Sequence, residues 1–283
     1  MQLMKNRAGS MFLVFVIYVF AIIIGVLTFN AFSFSVYLNL LIADVVATVF
    51  VFIFSIILKN ASVYDPYWSV QPIVIVVGLT VGCELSAIRL MTLIAVCFWG
   101  IRLTLNWAYT FHSFTYQDWR YVMLKEKTGV FYPIVNFLGI HLFPTLVVYL
   151  CVLPIVHIFS FDLTFSAWCI LPFILSILAV VLQGVADLQM HVFRKKKTGG
   201  LIHNGLWKYS RHPNYLGEIL TWWGIALMLL SVNISTWYLC LGALVNTLMF
   251  LFISVPMADK RQSKKEGFDE YKKRTRALLP IKK

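Results

Sequence analysis

The chain has 283 residues, 60% of them hydrophobic and 13% charged, with a mean hydropathy of +0.81, whereas a soluble domain carries about 25% charged residues. No soluble core hides that much apolar surface, and the length admits several spans of about 20 residues but no large soluble domain. The net charge of +12 suits anionic lipid, an anionic ligand or nucleic acid; membrane topology supplies much of it, so nucleic acid is not expected.

Apolar runs long enough to cross a bilayer fall at 11–29, 36–58, 69–83, 86–109, 131–158, 167–190, 214–231 and 235–257. The first, preceded by Lys5 and Arg7, is long for a signal peptide and reads as a retained span. The third, opened by Pro72 and closed by Glu84, is short enough to be re-entrant. The expected fold is an all-α, polytopic transmembrane helical bundle of about eight spans, or seven with a re-entrant third, forming one integral membrane domain over 1–283. With all eight runs crossing, Lys and Arg gather on alternate loops, which predicts a basic cytoplasmic face with both termini on it; loss of the third span would put the N-terminus on the other side. Short loops and the lack of a targeting signal suit a bacterial inner membrane. The five cysteines lack metal-ligand or redox spacing and read as unpaired thiols in apolar surroundings. His112, His141, His157, His191, His203 and His212 form no two-His helical pair, so no metal is expected.

Polar residues stand out where apolar ones cost less. Gln183, Asp187 and Arg194 are four and seven residues apart, hence on one face of the sixth span. A carboxylate at that depth needs a partner or a cavity, and Asp187 either pairs locally with Arg194 or His191 or lines a site. In the following RHPNYLGE segment, Pro213 suits a first helical turn, and Arg211, Asn214, Glu218 and Trp222 then share a face. Glu218 enters the membrane with the seventh span and is expected to point inward, for packing or for a ligand. Between these faces, the Arg194 to Lys197 run either anchors to anionic lipid or holds phosphate. The tail from Ala258 onward has ten Lys and Arg against four acids. Its Phe268, Tyr271 and Leu278 are spaced to fold back onto the membrane domain.

LWKYSRHPNYLGE, with ADLQMHVFR before it and the stretch from Tyr271 to Pro280 after it, resembles the DUF1295 group of the steroid 5-alpha-reductase superfamily. That superfamily is also similar to the sterol C14 reductases and the isoprenylcysteine carboxyl methyltransferases. The resemblance implies a C-terminal cofactor-binding half, 183–283, with NADPH in a cytoplasm-facing cavity. It also implies matching roles for Asp187, Arg194, Asn214, Tyr215 and Glu218, with Gln183, Arg211 and His212 beside them and Lys260, Arg261 and Tyr271 as looser matches. The adjacent Gln-Glu pair with which the steroid reductases hold a substrate carbonyl is absent from the N-terminal half; the nearest polar-aromatic group there is YDPYWS.

The expected activity is NADPH-dependent reduction of a conjugated carbon-carbon double bond in a lipid-like substrate, whether steroid, polyprenyl or fatty. Asp65, protonated by burial, or Tyr67 is the candidate acid that polarises the carbonyl; both are equally suited to the membrane interface. The alternatives are an S-adenosylmethionine-dependent membrane methyltransferase and a non-enzymatic lipid-binding protein. The methyltransferases carry a Glu-Glu pair where this chain reads ADKRQ. Membrane lipids are expected partners, and the sequence leaves the oligomeric state open.

Overall fold

The computed structural model describes residues 3–196 and 199–280. Lys197, part of the four-cation run, lies outside the described residues, as do the last three residues of the tail. Among the described residues the chain is helical without strands, and one isolated bridge joins Ser210 to Arg276.

The helices, in order, are α1 (Arg7–Ala31), α2 (Val36–Ile57), α3 (Tyr67–Leu79), α4 (Ala87–Thr110), α5 (Trp119–Thr128), α6 (Tyr132–Val135), α7 (Phe143–Ser160), α8 (Ile170–Lys195), α9 (Pro213–Val232), α10 (Leu241–Met249), α11 (Val255–Gln262) and α12 (Phe268–Arg274). Seven helical stretches among the described residues are long and apolar enough to cross a membrane. They are α1, α2, α4, the run Trp119–Ser160, the run Ala167–Lys195, α9 and the run Ile234–Gln262. The expected third span falls short: α3 has 13 residues, about 20 Å at the helical rise against a hydrocarbon core of about 30 Å. It also begins five residues before Pro72, which lies inside the helix rather than opening it.

Local chemistry sets several boundaries. Asn6 caps α1 by accepting from the Gly9 amide at 2.6 Å, Ser35 caps α2 through the Leu38 amide, and Asp118 caps α5 through the Arg120 amide. Pro213 begins α9 in the position expected of it. Two π-helical turns, Asn136–Leu142 and Phe250–Ser254, each end two residues before a proline, Pro144 and Pro256. A proline lacks the amide that would bond four residues back and its ring crowds that carbonyl, and the wider turn relieves both defects.

The chain divides into two compact units, one formed by Met1–Glu84 and Leu103–Phe161, the other by Leu85–Arg102 and Asp162–Lys283. In the first, α1 packs along α2, and α2 and α3 pack on α7. The buried side of α1 carries Val14, Ile17, Tyr18 and Ala21 at helical spacing, while Phe12, Phe15, Phe20 and Leu27 are exposed on its other side. A helix apolar all round is what lipid on one side and protein on the other require. In the second unit the dominant packing is α8 against α9. Glycines allow that approach: a Cβ on Gly217 would lie 2.7 Å from the Ala179 carbonyl oxygen, and one on Gly224 would lie 2.7 Å from that of Pro172.

Candidate functional site

The α8–α9 crossing buries a polar network in the second unit. Glu218, 5% exposed, accepts from three donors: Trp222 Nε1 on one oxygen at 2.8 Å, and Trp99 Nε1 at 2.9 Å and Gln183 Nε2 at 3.1 Å on the other. The two indoles meet edge to face, with centroids 4.8 Å apart. Arg102, from α4, forms an ion pair with Asp187 at 2.7 Å and also donates to the Gln183 side-chain oxygen. Asp187 thus has an ion-pair partner from another helix, Arg102. Asn214 reaches Asp187 with its amide at 3.4 Å. Glu218 sits at the closed end of this network, whereas Arg102 and Asp187 keep 15% and 17% of their side chains accessible. Arg102 Nε and Asn214 Oδ1 are buried without a partner. One is a donor and the other an acceptor, so a primary carboxamide, which offers both an oxygen and an NH₂, complements them.

Arg211 and His212 do not join that network. They hold the tail: Arg211 binds Asp259 through two nitrogens, at 3.2 and 2.7 Å, and donates to the Thr275 carbonyl, while His212 Nε2 lies 2.9 Å from the same carboxylate. Backbone bonds from Arg211 and His212 to the Arg276 and Ala277 carbonyls extend the contact. The tail folds back as its aromatic spacing led one to expect, with Phe268 and Leu278 buried. The Tyr271 hydroxyl donates to the Trp207 carbonyl, and burial raises its pKa well above the usual phenol range. Tyr215 stacks on His212, with centroids 5.1 Å apart, and meets Phe250 at a tilt, with centroids 5.0 Å apart. Arg194, Lys260 and Arg261 are exposed. Lys265, tied to the Gly200 carbonyl at 2.9 Å, has its pKa lowered by burial and then by the nearby positive charges of Arg194 and Arg261. The thirteen residues predicted for the site therefore fall into an intramembrane network, a tail clasp and a cationic rim in this unit, with Asp65 and Tyr67 in the other.

In the first unit, Tyr67 donates to Asp44 at 3.2 Å, and Gln71 donates to the other Asp44 oxygen at 2.8 Å. All three side chains are buried. A carboxamide and a carboxylate are thus joined across α2 and α3. Asp65 points to a different partner, accepting from the Tyr121 hydroxyl. Burial raises its pKa to about 6, against the lowering effects of Arg120 and of the Tyr121 bond.

Sequence reading missed Asp44, Gln71, Arg102 and Asp259. The signal for Asp44 and Arg102 was an ionisable residue within an apolar run, which by default marks function or a partner.

The family described as protein of unknown function (DUF1295) matches residues 51–275. The chain belongs to this family. The match covers α3 to α12 and so includes every candidate residue above except Asp44. An uncharacterized protein of Schizosaccharomyces pombe is 26% identical over 193 residues, 58% of this chain and 56% of that protein. The chain therefore spans a little over half the length of the curated relative it matches. No solved structure matches it.

Proposed function

We propose that this DUF1295 protein is a membrane reductase that uses NADPH to saturate a carbon-carbon double bond conjugated to a carbonyl in a lipid-like substrate. Family membership is compatible with the steroid-reductase-like superfamily. The observation that carries the reading is the pair of unpartnered atoms beside Asp187, Arg102 Nε and Asn214 Oδ1, which suits the carboxamide of a nicotinamide. Asp187 orients both residues, while Glu218 and Gln183 fix the network from its closed end. Arg194, Lys265 and Arg261 supply positive charge for phosphate at the exposed rim. When bound, the cofactor supplies hydride to the β carbon.

Tyr67 is the favoured acid. It has one proton to give, and in the arrangement described that proton goes to Asp44. To turn it toward a substrate carbonyl, Asp44 must itself carry a proton and donate to the phenol oxygen. Gln71 fixes which oxygen does so: its amide needs the second oxygen as an acceptor, leaving the proton on the oxygen that faces Tyr67. Asp65, engaged with Tyr121, holds α5 to the turn before α3 in this scheme. The basic segment after α8 and the basic tail are proposed to face the cytoplasm.

A methyltransferase reading is disfavoured because Asp259, in the ADKRQ stretch, already serves Arg211 and His212. The test is thermal unfolding of purified protein with NADPH, NADH or S-adenosylmethionine. NADPH is expected to stabilise selectively, with weaker binding in Arg194→Ala and Glu218→Gln; stabilisation by S-adenosylmethionine alone refutes the proposal. With an active substrate in hand, Tyr67→Phe is expected to lower turnover at least about 100-fold with NADPH affinity retained.

A further inference from the structure

The π-helical turn Asn136–Leu142 carries a second polar site in the first unit that the reductase scheme leaves unused. His141 is fully buried, and its Nδ1 lies 3.0 Å from the Asn136 carbonyl oxygen. A carbonyl only accepts, so Nδ1 carries the hydrogen, and in the neutral ring Nε2 is a bare lone pair. That nitrogen is buried without a partner. Asn136, 2% exposed, donates its amide to Ser55 Oγ at 3.0 Å, while its Oδ1 is likewise buried and unpartnered. The turn therefore presents two acceptors and no donor for them.

Neighbouring donors are already engaged. The Ser55 hydroxyl donates to the Phe52 carbonyl at 2.8 Å, the Tyr64 hydroxyl is bonded to Thr145 at 2.8 Å, and Thr145 is bonded to Thr48 at 3.1 Å. Aromatic rings form the walls: Tyr64 at 4.7 Å and Phe52 at 5.4 Å from the His141 ring, with Phe137 against Phe52. A complementary group must bring its own hydrogen and sit on an apolar body. No hydrogen bond or ion pair joins a carboxylate to His141 or Asn136 among the described contacts, and an ammonium buried there without a counter-charge is costly. A neutral hydroxyl meets both conditions.

We propose that His141 Nε2 accepts the hydrogen bond of a lipid-like alcohol's hydroxyl, in a subsite carried by the Asn136–Leu142 turn. The assignment deepens the reductase reading, on which it rests for the lipid character of the ligand, by giving the substrate a hydroxyl besides its conjugated carbonyl. Tyr64 links the two positions, its ring 5.4 Å from Tyr67 and 4.7 Å from His141.

The test uses the full chain in nanodiscs without NADPH, titrated with dodecanol or its methyl ether and followed by thermal unfolding. The alcohol is expected to bind about five- to tenfold more tightly, the value of one neutral hydrogen bond. His141→Leu should abolish that preference, and His141→Gln, whose side-chain oxygen accepts in the same region, should restore part of it. In ¹⁵N-histidine spectra of the unmodified protein, the His141 Nε2 resonance should move with the alcohol and not with the ether, a readout that stands even where His141→Leu does not fold. Equal affinities, a preference that survives in His141→Leu, an unmoved Nε2 resonance, or no stabilisation by either compound each overturn the subsite. Because NADPH is absent, this can fail while cofactor binding stands, and the converse.

Discussion

Arg102 shows how one residue in an apolar run can organise a site. Its guanidinium neutralises Asp187 and fixes Gln183, so removing it leaves a largely buried carboxylate without a counter-charge. Arg102→Leu is expected to destabilise the protein by about 3 kcal/mol, whereas Arg102→Leu combined with Asp187→Leu should recover most of the loss while abolishing NADPH stabilisation. Thermal unfolding with and without cofactor measures both effects. Asp65 gives a pH signature of the opposite kind. Its folded pKa of about 6 lies above the unfolded carboxylate value, so between about pH 4 and 6 the folded state binds more protons than the unfolded one. That contribution is fully present below the unfolded pKa and is lost as pH rises through 6. For this partly buried group it amounts to about 1–2 kcal/mol, so Asp65→Asn should flatten the fall in unfolding midpoint between pH 4.5 and 7.5 relative to wild type.

At the scale of elements, the α8–α9 crossing depends on two glycines one heptad apart. A Cβ at Gly217 meets Gln183 Cγ at 2.4 Å, and one at Gly224 meets Ser176 Oγ at 2.1 Å, with backbone carbonyls close behind in both cases. The helices must separate to admit either methyl group. Gly217→Ala and Gly224→Ala are each expected to cost about 1–3 kcal/mol. Only Gly217→Ala should also weaken NADPH stabilisation markedly, because it displaces Gln183 from Glu218; equal losses in both variants would show that the crossing acts through packing alone. The two π-turns belong to the same scale. Each proline was visible in the sequence, but the choice between a kink and a widened turn depends on how the neighbouring helices pack.

At the scale of the molecule, charge and aromatic residues divide along the second unit. Trp168, Trp237 and Tyr238 are 72%, 69% and 55% exposed in the loops before α8 and after α9, while Arg194, Lys195 and Lys196 are exposed at the far end of α8. Aromatic residues favour the membrane interface and cations the cytoplasmic loops. Single cysteines introduced at Lys196 and Lys265 should therefore react with an impermeant maleimide from the cytoplasmic side, and cysteines at Trp168 and Trp237 from the other. Labelling of all four from one side would overturn this orientation.

Hydrophobic run length was enough to fix the class of the fold and the limits of most spans to within a few residues, because bilayer thickness and helical rise are common to all such proteins, while the spacing of Phe268, Tyr271 and Leu278 gave the folding back of the tail. Motif residues gave the polar faces of α8 and α9, since spacing at 3.6 residues per turn places side chains without knowledge of their neighbours. Partner choice was a different matter. That Asp187 meets Arg102, that Arg211 and His212 clasp Asp259, and that Gln71 and Tyr67 converge on Asp44 depends on contacts between residues 23 to 85 positions apart. Such pairings follow from which helix faces meet, a property of the assembled packing that the order of residues along one helix does not carry.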